Sequence, residues 1–188
     1  MSSLLLVSRL IDKINGALGQ IAAWAILAAV VISAGNALLR HFFGTSSNAW
    51  LEMQWYLFGA VVMLCAAWAL REEAHVRIDV VAGHLSRRWR HWLDLFGLVA
   101  FLSPFAGLMM WLGGPYAFAS LESREVSLNP GGLTIWPIKM IIFAGFISLF
   151  AQGLSEIIKR IAIMSGFMPD PEDAISVSEP DDTRSQIS

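Results

Sequence analysis

Ser148, Gln152 and Glu156 recur at four-residue spacing in an otherwise apolar stretch, so on a helix they share one face. Polar groups in lipid are costly and normally face protein or water. This stripe is therefore expected to point into a bundle or a partner subunit, and it is also the only candidate lining for a polar lumen. Lys159 and Arg160 stand beside Glu156, which makes an interfacial ion pair its expected role. The other groups able to do chemistry do not combine. His41, His75, His84 and His91 all fall in connecting segments, whereas haem in a bundle needs histidines facing each other from neighbouring helices. Cys65 is the single cysteine, so neither an internal disulfide nor dithiol chemistry is available. In mid-run it reads as a small buried hydrophobe. Glu52, Lys139 and Glu156 sit at the ends of apolar runs and leave no charge at mid-membrane depth. No catalytic residue, cofactor or metal ligand is assigned.

The elements that must position these groups are long and apolar. Of 188 residues, 56% are hydrophobic and 15% charged, against about 25% charged in a soluble domain. Charge is missing from 14–39, 53–70 and 95–121, and a fourth run, 140–155, is bounded by Lys139 and Glu156. A hydrocarbon core of about 30 Å needs roughly 20 apolar helical residues. The alternation of barrel strands is absent, and helices are the other way to satisfy a backbone in lipid. The chain is read as an all-α membrane protein with four transmembrane helices near 17–39, 50–70, 93–113 and 134–158, in one domain over 1–165. The first run is far longer than the roughly 7–15 residues of a signal-peptide core, so it reads as a retained helix. A soluble enzyme is excluded, and a net charge of −2 gives no footprint for nucleic acid.

Basic residues set the orientation. Arg71, Arg77, Arg87, Arg88 and Arg90 follow the second span, whereas Arg40 and Arg124 stand alone after the first and third. With Arg9 and Lys13 at one terminus and Lys159 and Arg160 at the other, every basic-rich segment shares one side if both termini are cytoplasmic. Trp50, Trp55, Trp111, Tyr116 and Trp136 then fall at outer ends, and Trp68, Trp89 and Trp92 at inner ends, where indoles prefer the headgroup level. Residues 166–188 carry Asp170, Glu172, Asp173, Glu179, Asp181 and Asp182 against Arg184, with three prolines from Pro169 to Pro180. They read as an acidic, disordered cytoplasmic tail.

Ala25, Ala29, Ser33 and Ala37 make a seam of small residues in the first span, a pattern that lets helix backbones approach closely. Asn36 adds an amide beside it. Pro104, near the middle of the third span, is expected to bend that helix. Lys139 is expected to snorkel outward near Trp136, and Glu52 to pair with Arg40 or meet a partner. The segment between the second and third spans is amphipathic and basic: polar and apolar residues alternate from His75 to Val80, followed by an Arg-rich piece from Leu85 to Trp92. Arginines on anionic headgroups, with Val76, Ile78 and Val80 at the interface, account for it physically.

That segment and its surroundings resemble the small membrane subunit of TRAP (tripartite ATP-independent periplasmic) transporters. The resemblance rests on Glu52 followed by Trp55-Tyr56-Leu57-Phe58, Arg71 with His75-Val76-Arg77-Ile78-Asp79-Val80, and Leu85-Ser86-Arg87-Arg88. It continues through Glu125-Val126-Ser127-Leu128-Asn129-Pro130-Gly131-Gly132-Leu133, Pro137-Ile138-Lys139, Gln152-Gly153 and Glu156, and ends near Arg160. It implies a non-catalytic inner-membrane component that works with a large membrane subunit and a periplasmic substrate-binding protein. Such systems take up an organic acid, such as a 2-oxoacid, on an ion gradient. Arg71, His75, Arg77, Asp79, Arg87 and Arg88 are candidates for the large-subunit interface or for headgroup anchoring. Glu122, Arg124 and Glu125 are candidates for docking the binding protein, or belong to a solvated loop closed by a turn at Asn129–Gly132. The alternative is a self-assembling four-helix channel or efflux protein that moves solute itself.

Overall fold

The structure, a computed structural model, describes residues 2–44, 47–72 and 86–169. Among the described residues, five α-helices run in chain order: α1 Ser2–Phe43, α2 Asn48–Arg71, α3 Arg87–Gly97, α4 Ser103–Glu122 and α5 Trp136–Met164. A π-helical turn, Leu98–Leu102, joins α3 to α4 into one continuous rod. Among the described residues this gives four helical spans long and apolar enough to cross a membrane. No β-strand occurs among them, only the isolated bridge between Val126 and Thr134.

The helices outrun the spans expected from hydropathy. At 42 residues, α1 is about 63 Å long, roughly twice the hydrocarbon thickness. Its first turns, ahead of residue 17, hold Ser8, Asp12 and Asn15, whose helical state is fixed by partners on α5 rather than by lipid. Gly44, at φ +62°, donates to the Arg40 carbonyl and ends α1. At the far end of α5, Gly166 at φ +73° donates to Ile163 while Phe167 donates to Ala162. This paired closure satisfies the last carbonyls of the helix and depends on a left-handed residue.

The third rod is not interrupted at Pro104 or Pro115. Proline removes one backbone donor and crowds the preceding turn, and the wide turn at Leu98–Leu102 lies just ahead of Pro104. There the Leu98 carbonyl accepts both the backbone N–H and, at 2.8 Å, the hydroxyl of Ser103. A π-turn, one of the usual sites at which helices kink, thus lies directly ahead of the proline. Beyond it the helix continues past residue 113 to Glu122.

Helices α1, α2 and α5 touch one another pairwise, and α4 packs on α5. Helix α5 is thus the common neighbour. The contacts are built from small residues: Ala22, Ala60, Ala67, Ala106, Ala117 and Ala162 are the buried alanines. Large side chains such as Trp24, Trp55, Phe58 and Trp111 face outward. Two glycines set how closely the axes approach. A Cβ on Gly145 would come within 2.7 Å of the Met63 Cβ and 3.3 Å of Met63 backbone, and one on Gly19 within 2.7 Å of the Trp68 ring. Gly145→Val is therefore expected to force α2 and α5 apart at a cost of about 1–3 kcal/mol. Gly35→Ala is the control, since that position has open space within 4 Å. Unfolding midpoints in detergent check this, and equal midpoints for the two variants would remove glycine contact as the reason for the α2–α5 approach.

Candidate functional site

Two polar clusters occupy opposite ends of the helices. In the first, α1 presents Ser8 and Asn15, seven residues apart and both buried, to α5. Ser8 and Ser155 hydroxyls meet at 2.7 Å, and Asn15 Nδ2 donates to Gln152 Oε1 at 2.6 Å. Ser148 donates to Asn15 Oδ1 at 2.5 Å. Gln152 Nε2 in turn donates to both Asp12 and Glu156, at 2.8 Å each. Lys159 closes the cluster with ion pairs to Asp12 at 3.1 Å and Glu156 at 2.5 Å. The stripe Ser148, Gln152, Glu156 thus faces α1 within the chain.

The basic end of the molecule continues from there. Arg71 Nη1 donates to the Asp12 carbonyl at 2.7 Å, while its other nitrogens bind the Glu72 carboxylate. Gly16 makes room for it, since a Cβ there would lie 2.5 Å from Nη1. Arg160 reaches α3, pairing with Asp94 at 3.3 Å and lying 3.4 Å from His91 Nδ1. Arg87 opens α3 and Arg88 is exposed on it. His75, Arg77 and Asp79 lie outside the described residues.

The second cluster clasps the loop between α4 and α5. Glu52, buried near the start of α2, accepts the Ser127 hydroxyl, Asn129 Nδ2 at 2.8 Å and the Leu133 backbone N–H at 2.7 Å. It turns to this loop rather than to Arg40. The loop is closed by Ser127 N–H to Leu133, Ile135 N–H to Glu125 and Gly132 N–H to Asn129, and Asn48 of α2 donates to the Pro130 carbonyl at 2.9 Å. Lys139 does not snorkel freely: it pairs with Glu125 at 2.5 Å and lies 4.0 Å from the centre of the Tyr116 ring. Ser120 donates to the same Glu125 oxygen at 2.6 Å. The hydrogen bond from Lys139, then that from Ser120, hold the Glu125 carboxyl below the ordinary carboxylate range. Of the three docking candidates, Glu122 and Arg124 are exposed, whereas Glu125 is half-buried and committed to Lys139 and Ser120.

The small-residue seam divides. Ala25, Ala29 and Ser33 are half-buried and Ala37 is exposed. Ser33 accepts Gln54 Nε2 at 3.0 Å from α2. Ala29, Ser33 and Ala37 line an open groove of about 670 Å³ against Gln54, Trp55 and Phe58. Asp12, Asn15 and Ser8 are functional partners that stripe reading on α5 alone does not find. The signal for Ser8 and Asn15 is the seven-residue recurrence Ser8, Asn15, Ala22, Ala29, Asn36, a helix-contact period, to which Asp12 does not belong. Among the described residues no group of three or more metal-ligating side chains is present.

A family model described as "Tripartite ATP-independent periplasmic transporters, DctQ component" matches residues 29–162, well over half of the chain. The chain belongs to this family. It is a small membrane component of a TRAP transporter, a system assembled from a small and a large membrane subunit and a substrate-binding protein. No match is found among curated proteins or solved structures. The DctQ match includes Ser148, Gln152 and Glu156 and the whole outer clasp, and begins after Ser8, Asp12 and Asn15.

The two clusters make separate predictions. Gln152→Ala removes three interhelical or intrahelical bonds at once. Its expected cost is about 1–2 kcal/mol, the upper range for hydrogen bonds between membrane helices, read as an earlier unfolding midpoint in a denaturing-detergent titration. For Glu125 the folded pKa lies below its ordinary 4.5. Its contribution is therefore complete above that value and is lost as pH falls through the folded one. Glu125→Gln is expected to lower the melting temperature at pH 7 and to flatten its decline on acidification. A variant whose melting curve parallels the wild type from neutral to acid pH would show that the clasp carries no such linkage.

Proposed function

We propose that the chain is a non-catalytic scaffold that braces the large transport subunit and helps dock the periplasmic binding protein during ion-gradient-driven uptake of an organic acid. It lies in the bacterial inner membrane with both termini cytoplasmic; of the acidic tail expected over 166–188, Gly166 and Phe167 close α5 and residues 170–188 lie outside the described residues. One observation carries this reading: Ser8, Asp12 and Asn15 of α1 and Ser148, Gln152 and Ser155 of α5 are spent on each other, while large apolar side chains face outward. A solute path needs polar groups free to exchange partners, and a brace needs a rigid body with apolar flanks. The basic-rich segments support the orientation. Exposed Glu122 and Arg124 beside a clasped loop support a docking contribution at the outer end, with the companion residue Glu125 serving the clasp itself.

The rival channel reading requires Ser148, Gln152 and Glu156 to line a lumen, and the contacts of these residues with α1 and Lys159 favour the scaffold instead. Reconstitution separates the two. Vesicles with this chain alone are expected to show no uptake, and uptake is expected once the large subunit, the binding protein and an ion gradient are supplied. Charge reversal at Glu122 and Arg124 is expected to raise the binding-protein concentration needed for half-maximal uptake while sparing the saturated rate. Uptake by the chain alone would overturn the scaffold. Unchanged uptake by the reversed variants at both limiting and saturating binding protein would remove the docking contribution.

A further inference from the structure

Helix α3 is fastened on one side, and among the described residues its other side is open. His91 and Asp94 meet Arg160 of α5, and the opposite face carries a groove of about 610 Å³ lined by Arg88, Trp89, Trp92, Leu93 and Phe96. These side chains are open to the surroundings: Trp89 is 64% exposed, Trp92 and Leu93 51% each, and Phe96 59%. Arg88 is exposed and has no ion pair or hydrogen bond among the described residues, unlike Arg71 and Arg160, which are bound within the chain. Asp94 is the single acidic residue of α3, and it is held by Arg160. Among the described residues the groove therefore carries a positive charge and no lining carboxylate.

Arg88, Trp92 and Phe96 fall at four-residue spacing, so the cation and the two rings lie in one row about 12 Å long. The row begins with a guanidinium and ends in apolar rings, and it runs directly into the membrane-spanning part of the same rod. We propose that this face binds one anionic glycerophospholipid, with its phosphate at Arg88, its glycerol level with Trp89, and an acyl chain along Trp92, Leu93 and Phe96. The order of groups matches an amphiphile. An acidic peptide, such as residues 170–188 of this chain, would satisfy Arg88 and leave the apolar two-thirds of the row uncovered. The site goes beyond the scaffold reading and does not depend on it.

The test is native mass spectrometry of the full-length chain in detergent, titrated with phosphatidylglycerol, with phosphatidylcholine, and with inorganic phosphate, alongside thermal shifts. The expected result is retention of phosphatidylglycerol over phosphatidylcholine, with retention falling about fivefold in Arg88→Gln, the effect of one cation on an anionic lipid. Arg88→Lys keeps the charge and is expected to keep most of the binding, which separates loss of the site from loss of folding. Trp92→Ala and Phe96→Ala are expected to weaken both lipids. Arg40→Gln, at the other end of the molecule, is expected to change neither. Equal phosphatidylglycerol retention by wild type and Arg88→Gln would overturn the proposal, as would a thermal shift with inorganic phosphate as large as that with lipid. Phosphatidylglycerol binding that emerges only after removal of residues 170–188 would also overturn it, in favour of the acidic segment as occupant.

Discussion

Helices in lipid gain nothing from hiding apolar surface from one another, because the acyl chains they leave are equally apolar. What holds this molecule together must therefore be close backbone packing and interhelical hydrogen bonds. The α1–α5 zipper supplies the second. Asn15 uses its amide nitrogen on Gln152 and its oxygen on Ser148, and Gln152 uses both amide hydrogens on Asp12 and Glu156. Lys159 then balances two carboxylates with one ammonium. An unpaired amide or carboxylate at that depth would cost several kcal/mol, so each member of the cluster is stable only while the others remain in place. Close packing on α2 accompanies it, since Gly19 of α1 lies against Trp68 and Gly145 of α5 against Met63.

The outer clasp solves the complementary problem at the other end. The loop between α4 and α5 crosses to α2, and a polar backbone away from regular structure needs partners. Glu52 supplies three acceptor contacts to that loop from a helix distant in sequence, and Lys139 ties Glu125 to the first turn of α5. Because α5 takes part in the zipper at one end and in the clasp at the other, tilting it would break charge-assisted bonds at both. A rod pinned at two ends is stiff, whatever the propensity of its sequence.

The membrane class and the number of spans were legible because charge is absent over whole runs such as 95–121, a signal that depends on composition alone. The stripe on α5 was legible because four-residue spacing is a property of one helix. Its partners were not. Asp12 sits between Arg9 and Lys13 and reads as part of a charged flank; only contact with Gln152, Ser155 and Lys159 shows that it belongs to the interior. Glu52 and Arg40 are near in sequence and of opposite sign, yet the carboxylate finds loop donors about eighty residues away. Local pattern names the groups that must be paired, and tertiary structure chooses the partner. For Pro104 the sequence indicates a defect in the helix, and the π-turn ahead of it is visible only in the structure.

The distribution of satisfied and unsatisfied groups bears on mechanism through their capacity to exchange. A carrier that binds an organic acid must offer donors whose present partners are water or easily displaced. The donors of the zipper are instead committed to carboxylates and amides of a neighbouring helix, and withdrawing Gln152 toward a solute would strand Asp12 and Glu156 beside a single lysine. That exchange would give up two hydrogen bonds to charged groups, each contributing about 1.5–3 kcal/mol net. Polar content of this kind is suited to holding two helices at a fixed distance. Outside the zipper, most exposed side chains among the described residues are apolar along the spans and charged at the ends.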